Sequence, residues 1–234
     1  MRAITMGLVL TMASFSVSMA GQQAALAQTA PAQTPPAQTA PAQPVPPAEQ
    51  PTVKLEVRVF DGSDDVTPES KVKLYPKGQR SADIPMTAAS AGQAVSAMVP
   101  VGFYDAQAIR ERKGEAPSIR WAQQWLVQRY PDEYGRHLET INYKSGYGAL
   151  QVRPAPSEAA AAKSWTGIAY PAGDQTKEVG KSIPSGDDLL FALPAGRYDV
   201  KVTLADKSAQ WLRDIEVPVD RTRLKTWSAA TASR

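Results

Sequence analysis

Val99-Pro100-Val101-Gly102-Phe103-Tyr104-Asp105 is written a second time in this chain, as Leu193-Pro194-Ala195-Gly196-Arg197-Tyr198-Asp199. In both copies an alternating apolar run enters Pro-x-Gly and leaves through Tyr-Asp into another alternating run. Pro presets φ at the second position of a tight turn, and Gly at the fourth suits a type I turn. The stretch therefore predicts strand, turn, strand: a hairpin around which a module is built.

Working outward, the duplication extends well beyond the turn. Leu55-Glu-Val-Arg58 returns 95 residues later as Leu150-Gln-Val-Arg153, and Tyr75-Pro-Lys-Gly78 returns at the same interval as Tyr170-Pro-Ala-Gly173. Gln124-Trp-Leu126 aligns with Gln210-Trp-Leu212, and His137-Leu-Glu-Thr140 with Arg223-Leu-Lys-Thr226, both 86 residues on. Five matches in one order make an internal repeat. Within it, Tyr198, Val200, Val202 and Leu204 alternate with Arg197, Asp199, Lys201 and Thr203. Tyr104, Ala106 and Ala108 form the matching inward set, and Val95, Ala97 and Val99 match Leu189, Phe191 and Leu193. Period two with one polar face is a half-buried antiparallel strand. Leu55, Val57 and Val59 against Glu56 and Arg58 read the same way. Only Ser157 to Lys163 has helix propensity, enough for one or two turns after two prolines.

The fold class expected is all-β: two tandem immunoglobulin- or transthyretin-like antiparallel β-sandwiches, module 1 over 53–148 and module 2 over 149–228, with a tail at 229–234. Each is large enough to own a core. Tyr104 and Tyr198 are structural residues in this reading. Each ring is buried, and its hydroxyl returns to a nearby backbone group as in a tyrosine corner.

Ahead of the repeat, Met1-Arg2, an apolar run from Met6 to Ala20 and the small-x-small Ala25-Leu26-Ala27 read as a signal peptide, 1–27, with Ser18-Met19-Ala20 a second possible cleavage site. The apolar run is short for a retained membrane anchor. Residues 28–52 repeat Thr-Ala-Pro-Ala-Gln with extra prolines and no apolar face, a disordered linker partly in polyproline II. The chain has no Cys, which excludes disulfides, thiol chemistry and lipoprotein acylation and fits a bacterial periplasm or exterior. A formal net charge of +3, with signs interspersed, gives no footprint for nucleic acid. No membrane insertion is expected after signal cleavage.

The run Leu-Pro-x-Gly-x-Tyr-Asp-Val-x-Val, followed by a Trp-Leu strand and a closing Val-x-Val strand, resembles the prealbumin-like carboxypeptidase regulatory-like modules and the PEGA-type modules of bacterial envelope proteins. Similar repeats accompany bacterial von Willebrand type A proteins. The resemblance is clearest over 185–219. It implies a sandwich with a binding or spacer role and transfers no catalytic residue.

Chemistry of the chain's own finds little footing. His137 is the single histidine, without a nucleophile elbow nearby, and its alignment with Arg223 suggests a solvent-facing position. Asp61-Gly-Ser-Asp-Asp65 gathers oxygen ligands as a Ca²⁺ loop does, but it lacks EF-hand spacing and the closing Glu, so it reads as a polar turn. No cofactor, metal or catalytic residue is expected. The expected function is a non-enzymatic exported accessory recognising an envelope protein or a cell-wall glycan. The alternative is an accessory of a separate polysaccharide-active or peptidase enzyme, or of a von Willebrand type A protein. Candidate binding residues lie where the copies diverge, in the longer aromatic and basic stretch of the first: Arg120, Trp121, Arg129, Tyr130, Tyr134 and Arg136. Trp121, Tyr130 and Tyr134 have no aligned partner in the second copy, whereas Trp125 aligns with Trp211. These residues either hold a ligand or cover a module junction or a longer edge strand.

Overall fold

The structure, a computed structural model, describes residues 51–88, 90, 92–128 and 136–230. The signal peptide and all but the last two linker residues lie outside the described residues. The first copy supplies β1 (Thr52–Asp61), β2 (Asp64–Asp65), β3 (Ser70–Pro76), β4 (Val95–Pro100), β5 (Gly102–Arg110), β6 (Ser118–Val127) and β7 (Arg136–Asn142). The second supplies β8 (Tyr147–Pro154), β9 (Thr166–Pro171), β10 (Gly180–Lys181), β11 (Ile183–Ser185), β12 (Asp188–Pro194), β13 (Gly196–Thr203), β14 (Ala209–Val217) and β15 (Thr222–Trp227). The chain is all-β, two tandem sandwiches, with only a 3₁₀ turn at Pro156–Glu158 where helix propensity was read.

In the first sandwich one sheet holds β1 flanked by β4 and β2 on one edge and β7 on the other, and the second runs β3-β5-β6. The second sandwich repeats this with β11-β12-β8-β15 and β10-β9-β13-β14. Antiparallel pairing dominates, as the alternation implies. One pair in each copy is parallel, β1 with β7 and β8 with β15, because the last strand returns along the first. Each sandwich owns a core. Leu55, Val57, Val59, Leu74, Val99, Tyr104 and Trp125 fill the first, and Leu150, Val152, Phe191, Leu193, Tyr198, Val200 and Trp227 the second.

The repeated Pro-x-Gly stretch is not a hairpin. β4 pairs with β1 while β5 pairs with β3 and β6, so Pro100-Val101-Gly102 carries the chain from one sheet to the other. Pro194-Ala195-Gly196 makes the same corner between β12 and β13. The buried tyrosine closes each corner from inside: Tyr104 Oη donates to the Pro100 carbonyl at 2.7 Å, and Tyr198 Oη to the Pro194 carbonyl at 2.6 Å. Neither Gly102 nor Gly196 needs positive φ. A Cβ at Gly196 would make only ordinary contact with the Tyr198 ring, 3.4 Å from its hydroxyl.

The Asp after each Tyr does a second job. Asp105 accepts from the backbone N–H of Gln124 in β6 at 3.0 Å and of Gly78 at 3.2 Å. Asp199 accepts from Asp214 in β14 at 2.9 Å and from Gly173 at 3.3 Å. Gln124 and Asp214 both sit at bulges with φ of 57° and 55°. The extra residue turns an N–H inward, and the buried carboxylate receives it. These bulges correct one alignment. Gln107 pairs with Trp121 and Lys201 with Trp211, so Trp121, not Trp125, is the counterpart of Trp211. Trp125 faces Tyr104 as Ile215 faces Tyr198, and is core.

The polar faces of β1 and β8 are not solvated. Phe60 and Leu138 of the first sandwich meet Ala149 and Leu190 of the second in a small apolar cluster. Beside it, Arg136 Nη2 lies 2.9 Å from Asp188, which Arg153 Nε also reaches at 3.2 Å and the Gln151 amide contacts. Arg58 donates to the Pro184 carbonyl at 3.0 Å, and Thr140 meets Thr222 at 3.2 Å. Glu56, Arg58, Gln151 and Arg153 are buried there, although alternation had marked them as the water-facing side. Gly186, at φ 63°, makes room for Arg136: a Cβ would come within 2.6 Å of its guanidinium. Burial pushes the Asp188 carboxyl above its ordinary range, against the pull of Arg136 and Arg153.

Candidate binding face of the first sandwich

The sheet β3-β5-β6 turns one face to the core and the other outward. Alternation along β5 sends Phe103, Gln107 and Ile109 outward, and the register sets Leu126, Trp121 and Ile119 beside them on β6. Phe103 is 49 % exposed, Leu126 43 % and Ile119 55 %. Between the two apolar ends, the Trp121 ring lies 5.8 Å from the ring of Tyr75 on β3. Burial raises the Tyr75 phenol above its usual value, and the Asp83 carboxylate adds to the effect, so it stays protonated. Arg80 lies over Trp121 at 4.3 Å and Lys77 over Phe103 at 5.1 Å, the geometry of cation–π contacts. Lys71 and Lys73 alternate outward on β3 with Tyr75.

The second sandwich offers an internal control. It keeps the stack, with Tyr170 and Trp211 rings 5.4 Å apart and Arg213 over Trp211 at 4.3 Å. The flanking pairs differ. Where the first has Phe103 beside Leu126, the second has Arg197 beside Glu216, and Ile109 beside Ile119 becomes Thr203 beside Ala209. One framework therefore carries a charged face in the second sandwich and an apolar one, rimmed by cations, in the first.

The residues singled out by sequence do not converge. Trp121 lies on this face, but as a repeated element with a counterpart in Trp211. Arg120 pairs with Asp220 of the second sandwich at 2.8 Å and 3.0 Å, and Arg136 is held by Asp188. Both arginines bridge the sandwiches, since an unpaired guanidinium near a buried junction is drawn to the nearest carboxylate. Arg129, Tyr130 and Tyr134 lie outside the described residues. Phe103, Ile109, Ile119 and Leu126 were missed. The signal was present in the two copies of β5 and β13, but the Trp125–Trp211 alignment put β6 and β14 out of register.

His137 is buried, not solvent-facing, with Nε2 at 2.9 Å from Glu139. It occupies the same place beside Leu55 that Arg223 occupies beside Leu150, so the alignment holds while the exposure differs. Asp61 pairs with Arg110 at 3.1 Å and Arg112 at 3.2 Å, and Asp65 with Arg58 at 2.8 Å, in the β1–β2 turn. Among the described residues no group of three or more acidic or His side chains is arranged to hold a metal. Also among them, no helix is long and apolar enough to cross a membrane.

The fold and this face define an all-β protein of tandem sandwiches. No family model matches the chain, and no curated protein matches it. Among solved structures it is similar to the Bacillus anthracis TIE protein, at 16 % identity and a TM-score of 0.26 over 75 % of this chain and 34 % of that one. It is also similar to the C-terminally truncated tip fimbrial protein of Porphyromonas gingivalis, at 8 % identity and a TM-score of 0.30 over 75 % of this chain and 94 % of that one. The chain thus spans about a third of the TIE protein's length.

Proposed function

We propose that this chain is an exported, non-enzymatic binding accessory that docks a partner protein through the outer face of β3, β5 and β6. The observation that carries the reading is the exchange of Arg197/Glu216 and Thr203/Ala209 for Phe103/Leu126 and Ile109/Ile119 on one framework. Large apolar side chains around a Trp, with cations at the rim, are what protein interfaces use. A glycan fits less well, because Arg80 already covers the Trp121 ring. Export rests on the N-terminal signal and the absence of Cys. The resemblance to carboxypeptidase regulatory-like and PEGA-type modules, with the domains divided just ahead of β8 at Tyr147, agrees with an accessory role in the envelope. The partner sought is an envelope protein, including a separate hydrolase or a von Willebrand type A protein.

The test is photocrosslinking from position Gln107 in whole cells, with the captured protein identified by mass spectrometry. The double variant Phe103→Arg/Leu126→Glu, which copies the second sandwich, should abolish capture. Undiminished capture by that variant, or retention on purified cell wall in place of a protein, would overturn the reading.

A further inference from the structure

The two sandwiches differ at a second place, along the free edge of β3. In the second sandwich the segment after β9 returns to close that side. Val179 N–H donates to the Ala169 carbonyl at 2.9 Å, Gly180 and Lys181 pair with Ala169 and Ile168, and Ser182 N–H donates to the Gly167 carbonyl at 2.9 Å. The Ser182 hydroxyl accepts from Gly167 N–H at 2.9 Å, so both outward groups of Gly167 are satisfied. Gly180 lies close against the core there: a Cβ would come within 2.6 Å of a Leu193 methyl, which would have to shift.

The first sandwich begins the same way and stops. Ile84 N–H donates to the Leu74 carbonyl at 2.7 Å, as Val179 does to Ala169. The next residue is Pro85 where the second copy has Gly180. Pro has no N–H and carries a ring, so the strand cannot continue against the core. The segment crosses to the opposite sheet instead, with Thr87 N–H donating to the Ser96 carbonyl at 2.8 Å. A cleft of about 550 Å³ is left between the sheet edges, its lining including the apolar Val72, Met86 and Val95, the lysines Lys71 and Lys73, and two carboxylates, Glu69, which Arg110 engages, and Asp83. Because the Leu74 carbonyl points away from β5, period two turns the Val72 N–H and C=O the same way, into the cleft. Among the described residues, nothing from the 84–88 segment hydrogen-bonds to them. Among the described residues, neither Lys71 nor Lys73 forms an ion pair.

We propose that this open edge is a peptide-binding site, in which an extended segment of a partner protein adds as a strand to β3. Backbone pairing with Val72 supplies affinity, and the pleat sends alternate side chains inward. The ligand is apolar at the residue facing Met86 and Val95 and acidic at the neighbours facing Lys71 and Lys73. The occupant's form is drawn from the chain itself, whose second sandwich fills the equivalent space with its own strand. This site lies along the edge of β3, shares Lys71 and Lys73 with the docking face, and goes beyond that reading.

The probe is a synthetic peptide, Glu-Val-Gly-Glu-Val-Glu-Pro, which is the 178–184 sequence with Lys181, Ser182 and Ile183 replaced by Glu, Val and Glu. Hydrogen exchange is followed by NMR on the whole mature chain, with the probe at about 1 mM. In the free chain the Val72 amide should exchange far faster than that of Gly167, and the probe should slow it. The same peptide N-methylated at alternate backbone positions should bind at least about tenfold more weakly, the worth of one or two hydrogen bonds. Lys71→Glu/Lys73→Glu should weaken binding by a similar factor, while Phe103→Arg/Leu126→Glu should leave it unchanged. A protected Val72 amide in the free chain, no slowing with the probe, or equal binding of the methylated peptide would overturn the proposal.

Discussion

Tyr198 and Asp199 show how two adjacent residues can carry one corner with opposite ends of their chemistry. The tyrosine buries its ring and spends its one polar atom on the Pro194 carbonyl. Tyr198→Phe should therefore cost about 1 kcal/mol, the worth of one hydrogen bond. Tyr198→Ala should cost about 3 kcal/mol by losing the ring as well, both read from denaturant midpoints. Asp199 works by charge. Burial alone would raise its carboxyl, but the Asp214 N–H, the Arg213 guanidinium and the Gly173 N–H hold it below the ordinary aspartate range. A carboxyl lowered in the folded state adds stability above its unfolded value of about 3.9 and loses it as pH falls through the folded value. The stability gap between the chain and Asp199→Asn should be full at neutral pH and shrink on acidification below that unfolded value. A gap independent of pH would show that the carboxylate charge is not what Asp214 and Gly173 need. The tyrosine was legible from alternation alone. The aspartate was not, because a polar residue in an alternating strand reads as water-facing until the neighbouring bulge is known.

At the scale of the element, β6 and β14 show what a bulge does to sequence comparison. Matching Gln-Trp-Leu by eye joins Trp125 to Trp211 and makes Trp121 look unique. The hydrogen-bonded register joins Trp121 to Trp211 and places the divergence at Phe103, Ile109, Ile119 and Leu126. Strand existence and facing were readable from period two, as β5 and β13 demonstrate. Pairing was not, which is why a corner between sheets read as a hairpin. Two outcomes belong here. Gln124→Val should cost about 1 kcal/mol or more, since a β-branched residue is poorly suited to φ near 57°, whereas Gln124→Gly should leave the melting temperature unchanged or raised. Phe103→Arg/Leu126→Glu should change stability by no more than about 0.5 kcal/mol, because both side chains are surface residues on a strand pair that tolerates them in the second copy. A large loss of stability would mean that the face is packed against something within the chain and is no docking surface.

The whole molecule is more than two modules in a row. Sequence implies two sandwiches with one polar face each, and hides that those polar faces meet, because Glu56, Arg58, Gln151 and Arg153 look the same in a sequence whether they face water or each other. Asp188 sits at the centre of the junction, between Arg136 of one sandwich and Arg153 of the other. Its raised carboxyl indicates that burial is poorly compensated. Burial thus opposes the charges of this cluster, and replacing them together tests whether they hold the sandwiches or only set their register. This separates two experiments. Asp188→Ala removes the carboxylate that Arg136 and Arg153 share and should cost about 3 kcal/mol, and calorimetry should show the single transition of the intact chain dividing as one sandwich melts ahead of the other. The triple replacement Arg136→Met/Arg153→Met/Asp188→Leu removes these three charges at once, leaves Glu56 paired with Lys54, fills a similar volume and should recover most of that loss. If the triple variant were as unstable as Asp188→Ala, the ion pairs themselves, rather than the apolar contact of Phe60, Leu138, Ala149 and Leu190, would be what joins the two halves.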